Sequence, residues 1–582
     1  MEAIRFLTRK IWVEGDFGIR SKVVLSFSCL VFSKILAIFT PISFKWIVDG
    51  MNNQKALWWL IGIGIFYVTT RVLSQIVGEF RDALFSRVTQ KTIRSVGLEV
   101  FNHLHNLDLS FHLERQTGGL NRTLERGIKG IETFFRFSVF NLVPTFFEVL
   151  LVFGFLWIQY GLVYGALALS SVVLYVWYTF FITHKLIHYV KRMNDSDSNS
   201  NTKIIDSLLN YETVKYFNNE SLESKRFDES LKLYQTNAIK NDLLRAYLNS
   251  GQSIIIALGL GIMIVLAVLE VRDQTMTIGD FVLVNTILIQ LYIPLFMLGF
   301  AYREVKSSLA AIDGMLQFLN IKPKINNKQN ASNLKFKNGV IEFKDVHFSY
   351  HDNREILKGI SFKIDGGQTL AIVGGTGAGK STIGKLVFRF FDIQKGKILI
   401  DNQSIQDVTQ ESLRQLIGVV PQDTVLFNDT IYYNILYGKP DATEEEVIAA
   451  ANKAEIHDFI NSLPEKYETM VGERGLRLSG GEKQRVSIAR VLLKQPKMFV
   501  FDEATSALDT LTEQMIQKNL ENISKGFTTI IIAHRLSTIT HADKILVLEK
   551  GLVKEIGTHD ELLIKKGAYY QMWEKQSKKE HD

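Results

Sequence analysis

Long apolar runs dominate the first half of the chain and stop near residue 301, after which hydrophobic positions fall into short strand and helix patterns. A helix needs about 20 mostly apolar residues to cross the hydrocarbon of a bilayer. Six stretches meet that requirement, at residues 23–48, 56–78, 137–159, 161–183, 250–271 and 279–301. Residues 79–136 and 184–247 lie between runs, are polar and poor in Pro, and keep helical composition. They predict that the second and third spans, and the fourth and fifth, continue as helices well beyond the membrane. Each pair is expected to turn at its far end, near 107–118 and 210–219.

The pattern therefore divides the chain as follows. An amphipathic elbow helix is expected over 1–20 and a six-span helical domain over 21–310. A polar Asn- and Lys-rich linker follows over 311–338, then an α/β domain over 339–575 and a polar tail over 576–582. In Met1–Arg20 the charges Arg5, Arg9, Lys10, Glu14 and Asp16 alternate with Phe6, Leu7, Ile11 and Trp12, which suits a helix lying on a membrane surface.

Charge refines this picture. The net charge is +7, yet it is not spread as a nucleic-acid surface would be. Residues 79–136 and 184–247 carry 9 and 10 Lys/Arg, while the loops on the other side hold Lys55 and Arg272. That asymmetry puts both long polar segments and both termini on the cytoplasmic or matrix side and argues against a nucleic-acid partner. Lys34, Arg71 and Glu148 fall inside predicted spans, where charge is costly, so each needs a cavity or a partner. Pro41, Pro144 and Pro294 are candidate kinks. The single cysteine, Cys29, rules out an internal disulfide framework or a cysteine metal site.

The second half carries chemistry. The apolar strand Leu370–Val373 runs into Gly374, Gly375, Thr376, Gly377, Ala378, Gly379, Lys380 and Ser381, and Thr382 opens a helical pattern to Phe391. Strand, glycine-rich loop and helix are the context a phosphate-binding loop requires. Its backbone N–H groups wrap phosphate, and the helix N-terminus adds positive potential. Lys380 is placed to reach the β- and γ-phosphates, and the Ser381 hydroxyl to ligate Mg²⁺. A second apolar strand, Met498–Phe501, ends in Asp502 and Glu503. Asp502 suits the Mg²⁺ shell. Glu503 suits the water that attacks the phosphate, since phosphoryl transfer needs positioning and charge neutralisation more than covalent chemistry.

Between these motifs stands Leu478-Ser479-Gly480-Gly481-Glu482, followed by a helical pattern. This string resembles the signature of the ABC superfamily. The resemblance implies that Ser479, Gly480, Gly481 and Glu482 form the signature turn, which meets the γ-phosphate held by the other subunit. It also implies that Tyr350 stacks on adenine and that Gln422 senses Mg²⁺ and the transmembrane contact. Asp509 then lies on the loop that crosses the dimer, and His534 touches the γ-phosphate. Glu503, His534 and Gln422 are the implied catalytic set, with ATP and Mg²⁺ as cofactors.

The transmembrane half narrows the family. Segments 79–119, 206–220 and 279–304 are similar to ATM-type transporters, the ABC transporters of mitochondria and their alphaproteobacterial relatives. That resemblance implies a homodimer in a bacterial inner membrane with a cytoplasmic ATPase domain, or alternatively in the mitochondrial inner membrane with the ATPase in the matrix. The implied cargo is a glutathione-linked compound: the disulfide, a persulfide or a metal–thiol conjugate. Cavity positions carried over are Tyr175, Asn249, Gln252, Phe296, Gly299 and Phe300, with Asn249 and Gln252 on one helix face. Leu186 and Val190 stand where relatives carry arginines, with His184, Lys185, His188 and Lys191 nearby. A lipid flippase or multidrug exporter shares the same machine. A soluble ABC ATPase lacks the six spans.

Overall fold

The structure is a computed structural model that describes residues 2–12, 17–114, 117–350, 354–502, 518–533 and 535–581. Glu503, Asp509 and His534 lie outside the described residues. The chain forms two compact units, one of residues 1–106 with 115–322 and the other of 107–114 with 323–582.

The first unit is helical. After α1 (Glu2–Ile11) come α2 (Phe17–Asn52) and α3 (Leu57–Asn106). The short α4 (Leu109–Glu114) follows, then α5 (Thr117–Phe137) and α6 (Val143–Tyr160). The unit is completed by α7 (Leu162–Leu209), α8 (Tyr211–Tyr216), α9 (Glu220–Arg272) and α10 (Ile278–Leu319). Among the described residues, six helices are long and apolar enough to cross a membrane, counting α5 and α6 as one. At 1.5 Å per residue the 53 residues of α9 span far more than a bilayer, so the extensions read from composition are present. The apolar window of α10 is 39% buried and that of α3 only 6%, which makes α10 the central helix of the unit.

The third span is not a continuous α-helix. A π turn, Ser138–Leu142, separates α5 from α6 and ends two residues before Pro144. Proline cannot donate to the carbonyl one turn back, and a wider turn takes up the mismatch. Pro41 and Pro294 remain inside helices.

Lys34 and Glu148, inside the spans, pair with each other. Lys34 Nζ lies 2.5 Å from Glu148 Oε2, and Gln290 Nε2 donates to the other carboxylate oxygen at 3.3 Å. Arg71 is exposed and donates to Tyr67 Oη at 3.1 Å. A polar cluster that the sequence reading missed joins α2 to α6 and α10. Asp280 meets Lys45 Nζ at 2.5 Å and accepts from Tyr160 Oη at 2.6 Å. Asp49 accepts from Gly279 N at 2.9 Å and Thr277 Oγ1 at 3.0 Å.

Within the expected elbow segment, α1 buries one apolar stripe, while Ile4 and Trp12 stay exposed. Ala3 and Leu7, the apolar stripe of α1, are each 1% exposed. Ala3 N donates to Asp313 and Lys10 pairs with Glu99, so that stripe packs on α10 and α3. A short amphipathic helix buries its stripe on whatever apolar surface is nearest.

The second unit holds two sheets. An antiparallel sheet has the order β2 (Glu355–Ile364), β1 (Ile341–Ser349), β4 (Lys395–Ile400) and β5 (Gln403–Ser404). The six-stranded sheet has the order β10 (Leu552–Gly557), β9 (Lys544–Glu549), β3 (Thr369–Gly374), β8 (Thr528–Ile532), β7 (Met498–Asp502) and β6 (Ile417–Val420). Strands β9, β3, β8, β7 and β6 are parallel neighbours, and β10 is antiparallel at the edge. The parallel strands read as continuous apolar runs because both faces are covered.

Of the expected 311–338 linker, the residues up to Leu319 form the end of α10. Residues 323–340 lack apolar periodicity, yet they are fixed to the second unit. Leu334 is buried in its core, and Ser332 bridges Val408.

Candidate functional site

Strand order brings the sequence motifs together. Parallel strands β3, β8, β7 and β6 end on one edge of the sheet, so Gly374, Ala533, Asp502 and Pro421-Gln422 leave the sheet side by side. In open α/β sheets ligands bind outside the carboxyl ends of the strands.

The loop after β3 has the backbone that its glycines permit. Gly377 and Gly379 hold φ of 77° and 104°, in the left-handed region open to glycine. A Cβ at Gly379 would lie 2.8 Å from a Leu357 methyl. Helix α11 (Lys380–Val387) starts directly after Gly379. Lys380 Nζ folds back across the loop to the carbonyls of Gly374 and Gly375, at 2.9 and 3.3 Å. Ser381 Oγ donates to Asp502 Oδ1 at 3.1 Å. Two motifs far apart in sequence thus meet at one point.

Tyr350 follows the end of β1. Its hydroxyl lies 3.1 Å from Thr382 Oγ1, and its ring packs edge-on against Phe348 and Phe391. Lys385 Nζ sits 5.9 Å from the ring centroid, a cation over an aromatic face that the sequence reading did not anticipate. The ring remains 37% exposed, enough to offer a face to a flat ligand.

Ser479 caps the helix Gly480–Leu493. Its N–H donates to Glu482 Oε2 at 2.7 Å, and its Oγ accepts from Glu482 N. The S-x-x-E spacing encodes that reciprocal box. Ser479 and Gly480 are exposed at the positive end of the helix dipole. Gln422 is exposed.

In the helical unit the six expected cavity positions separate. Tyr175 is fully buried and donates its hydroxyl to Leu295 O at 2.8 Å. Gln252 is 1% exposed and donates to Thr179 Oγ1 at 2.8 Å. Gly299 is buried, and a Cβ there would come 2.9 Å from Thr179 Cγ2. These three hold α7, α9 and α10 together inside one protomer. Asn249, Phe296 and Phe300 are exposed. Asn249 and Gln252 therefore do not share a free surface, because an offset of three residues is enough to carry one into the α7–α9 seam.

A residue outside that set stands out. Arg303 lies on α10 with its guanidinium 5.8 Å from the Phe300 ring, and its buried Nη1 has no hydrogen-bond partner. Leu186 is 1% exposed, and His184, Lys185, His188 and Lys191 are exposed.

A family model described as "ABC transporter transmembrane region" matches residues 23–295, and one described as "ABC transporter" matches residues 357–506. The Aspergillus fumigatus protein named "Iron-sulfur clusters transporter atm1, mitochondrial" is 46% identical over 582 residues, covering 98% of this chain and 80% of its own. The chain belongs to the Atm1 family of ABC exporters. The Homo sapiens "Iron-sulfur clusters transporter ABCB7, mitochondrial" is 43% identical over 593 residues, covering 99% of this chain and 78% of its own. A solved "bacterial Atm1-family ABC exporter with ATP bound" aligns with a TM-score of 0.85 at 42% identity, covering 96% of this chain and 98% of that one. As an Atm1-family half-transporter the chain is a multi-pass membrane protein. Its α/β unit binds ATP, and its hydrolysis drives export.

Proposed function

We propose that two copies of this chain form a homodimer that exports an anionic, glutathione-linked thiol compound and so serves iron–sulfur assembly or metal detoxification. The relatives named for iron–sulfur cluster transport support the second part, since they align with nearly the whole chain. The observation that carries the anionic cargo is Arg303. Arg303 is half-buried and its enclosed Nη1 has no hydrogen-bond partner, an arrangement that an anion would relieve. It sits beside Phe300, on the helix face where cargo contacts are expected. It offers a cation on α10 where Leu186 and Val190 offer none on α7.

At the nucleotide, residues Gly374 to Thr382 cradle the phosphates and Lys380 swings from its loop carbonyls onto them. Tyr350 stacks on the base. The signature turn of the partner subunit, with Ser479 and Gly480 exposed, closes over the γ-phosphate, so each ATP is shared. Glu503 takes a proton from the attacking water, while His534 and Gln422 flank the phosphate and Asp509 crosses the dimer. The Ser381 hydroxyl and the Asp502 carboxylate, 3.1 Å apart, are hard oxygen donors of the kind Mg²⁺ prefers. When bound there, Mg²⁺ neutralises phosphate charge. ATP binding closes the ATPase pair, the helical extensions carry the closure into the spans, and the cavity alternates its access. The termini and ATPase units lie on the cytoplasmic or matrix side.

The test is ATPase stimulation of the reconstituted exporter by glutathione disulfide, a metal–glutathione complex, a lipid and a hydrophobic drug. Stimulation by the glutathione compounds, weakened in Arg303→Ala, is the expected result. Stimulation by lipid or drug alone overturns the cargo and favours a flippase or multidrug pump.

A further inference from the structure

Tyr350 is held from α11 and from the turn that follows it, and α11 is also the helix that the phosphate loop opens. Gln394 fixes the main chain just before the ring. Its Oε1 accepts from Ser349 N and its Nε2 donates to Ser349 O, both at 2.9 Å. Gln394 N also donates to His347 O at 3.2 Å. The side chain is held in turn. Its hydroxyl lies 3.1 Å from Thr382 Oγ1. Phe348 and Phe391 stand at 85° and 86° to the ring, with centroids 4.9 and 5.0 Å away. Phe348 belongs to the core and Phe391 packs against it, so both are anchored.

Lys385 completes the set. It is half-buried in the last turn of α11, with Nζ 5.9 Å from the Tyr350 centroid. The helix stops just beyond it. Arg389 takes a left-handed φ of 51°, and Phe390 N donates back to Lys385 O at 2.9 Å. A left-handed residue with such a six-to-one bond is a common helix stop. Here it turns the chain back, and Phe391 and Gln394 reach the end of β1. A cation in a last helical turn is favourable for the helix alone. A cation over an aromatic face gains separately, because that face carries the negative side of the ring quadrupole.

We propose that Lys385 is a positioning residue for the nucleobase, its ammonium on one face of the Tyr350 ring and the base stacked on the other. This inference rests on the reading that Tyr350 meets the base. A cation on one face draws π density toward itself and leaves the opposite face a better partner for an electron-rich purine. It also restricts the ring before the ligand arrives, so less freedom is lost on binding. One helix then gauges both ends of the nucleotide. Lys380 at its start meets the phosphates. Lys385, five residues and about 7.5 Å further along the axis, sets the plane that meets the base. The ligand so selected is a purine nucleoside triphosphate rather than a triphosphate alone.

The test uses the full-length exporter in lipid nanodiscs and measures steady-state hydrolysis against ATP concentration. Ribose 5′-triphosphate, which has no base, is the competing probe. In Lys385→Met, and independently in Lys385→Gln, the KM for ATP is expected to rise about two- to fivefold with kcat at the parent value. The inhibition constant of ribose 5′-triphosphate should stay the same. Lys385→Arg, which keeps the cation, should return KM to the parent value. In a Tyr350→Leu background, adding Lys385→Met should change KM no further. An unchanged KM in both uncharged variants overturns the proposal. So does a parallel loss of ribose 5′-triphosphate binding, which places Lys385 on the phosphates. A KM in Lys385→Arg as high as in Lys385→Met assigns the loss to packing and overturns it too. If Tyr350→Leu itself leaves KM unchanged, the base-stacking reading falls with the inference. A raised KM in Tyr350→Leu beside unaffected Lys385 variants removes the inference alone.

Discussion

Ser381 Oγ donates to Asp502 Oδ1 at 3.1 Å, joining the first residues of α11 to the end of β7 across the intervening strand β8. This bond places a hydroxyl and a carboxylate where a nucleotide's phosphates and their cation would meet. Neither partner specifies the other in sequence. Parallel strand order does.

Glu503→Gln should bind ATP normally and lose steady-state hydrolysis about 10²-fold or more, the usual cost of removing a general base. Ser381→Ala should instead weaken the metal dependence of binding. Fluorescent-nucleotide titration and phosphate release separate the two. Normal turnover in Glu503→Gln would remove the base assignment.

The Lys34–Glu148 pair, with side chains 23% and 7% exposed, is the clearest ionic link within the spans. Removing one partner of a buried pair leaves an uncompensated charge and costs about 3–5 kcal/mol. Lys34→Met and Glu148→Gln should each lower the melting temperature of the detergent-solubilised protein. The exchanged pair, Lys34→Glu with Glu148→Lys, should recover much of the loss. No recovery would mean that each charge has a different partner.

Tyr175→Phe removes one buried hydroxyl bond, to Leu295 O. It should cost about 1 kcal/mol of stability, while the cargo concentration for half-maximal ATPase stimulation stays the same. A large shift in that concentration would return Tyr175 to the cavity.

His347 is bonded by Glu355 at 2.6 Å and Asp345 at 3.2 Å. The Glu355 hydrogen bond, more than the desolvation that opposes it, raises its pKa above the ordinary histidine value, and Asp345 adds to the rise. A raised folded pKa means that the stabilisation is fully present below the unfolded value of about 6.5 and is lost as pH rises through the folded one. The melting temperature should therefore fall across that window in the parent and change less in His347→Ala. An identical pH slope in both would sink this reading.

Much of the architecture was legible. Six apolar runs of spanning length and the Lys/Arg asymmetry need no tertiary information, because a bilayer imposes length and the translocation machinery reads charge. The Gly374–Ser381 loop was legible because its glycines are required locally: Gly377 and Gly379 take φ values that other residues avoid. The Ser479–Glu482 box was legible for the same reason, since both partners lie within one helical turn. The fine assignment in the spans was not. Tyr175 and Gln252 are polar residues on apolar helices, and such a residue can face a cavity or bond a neighbouring helix. Periodicity gives the face and is silent on what covers it.

The sequence by itself determined where helices cross lipid, where phosphate is held and which strand precedes each motif, because those properties depend on neighbours a few residues apart. Only the tertiary structure decided that α1 packs on Asp313 and Glu99, that Tyr175 and Gln252 are interior, and that residues 323–340 are hydrogen-bonded onto the second unit. That polar segment looks like a loop in sequence because its partners are distant acceptors. Asp401 supplies four backbone N–H groups with a carboxylate that no local pattern could announce.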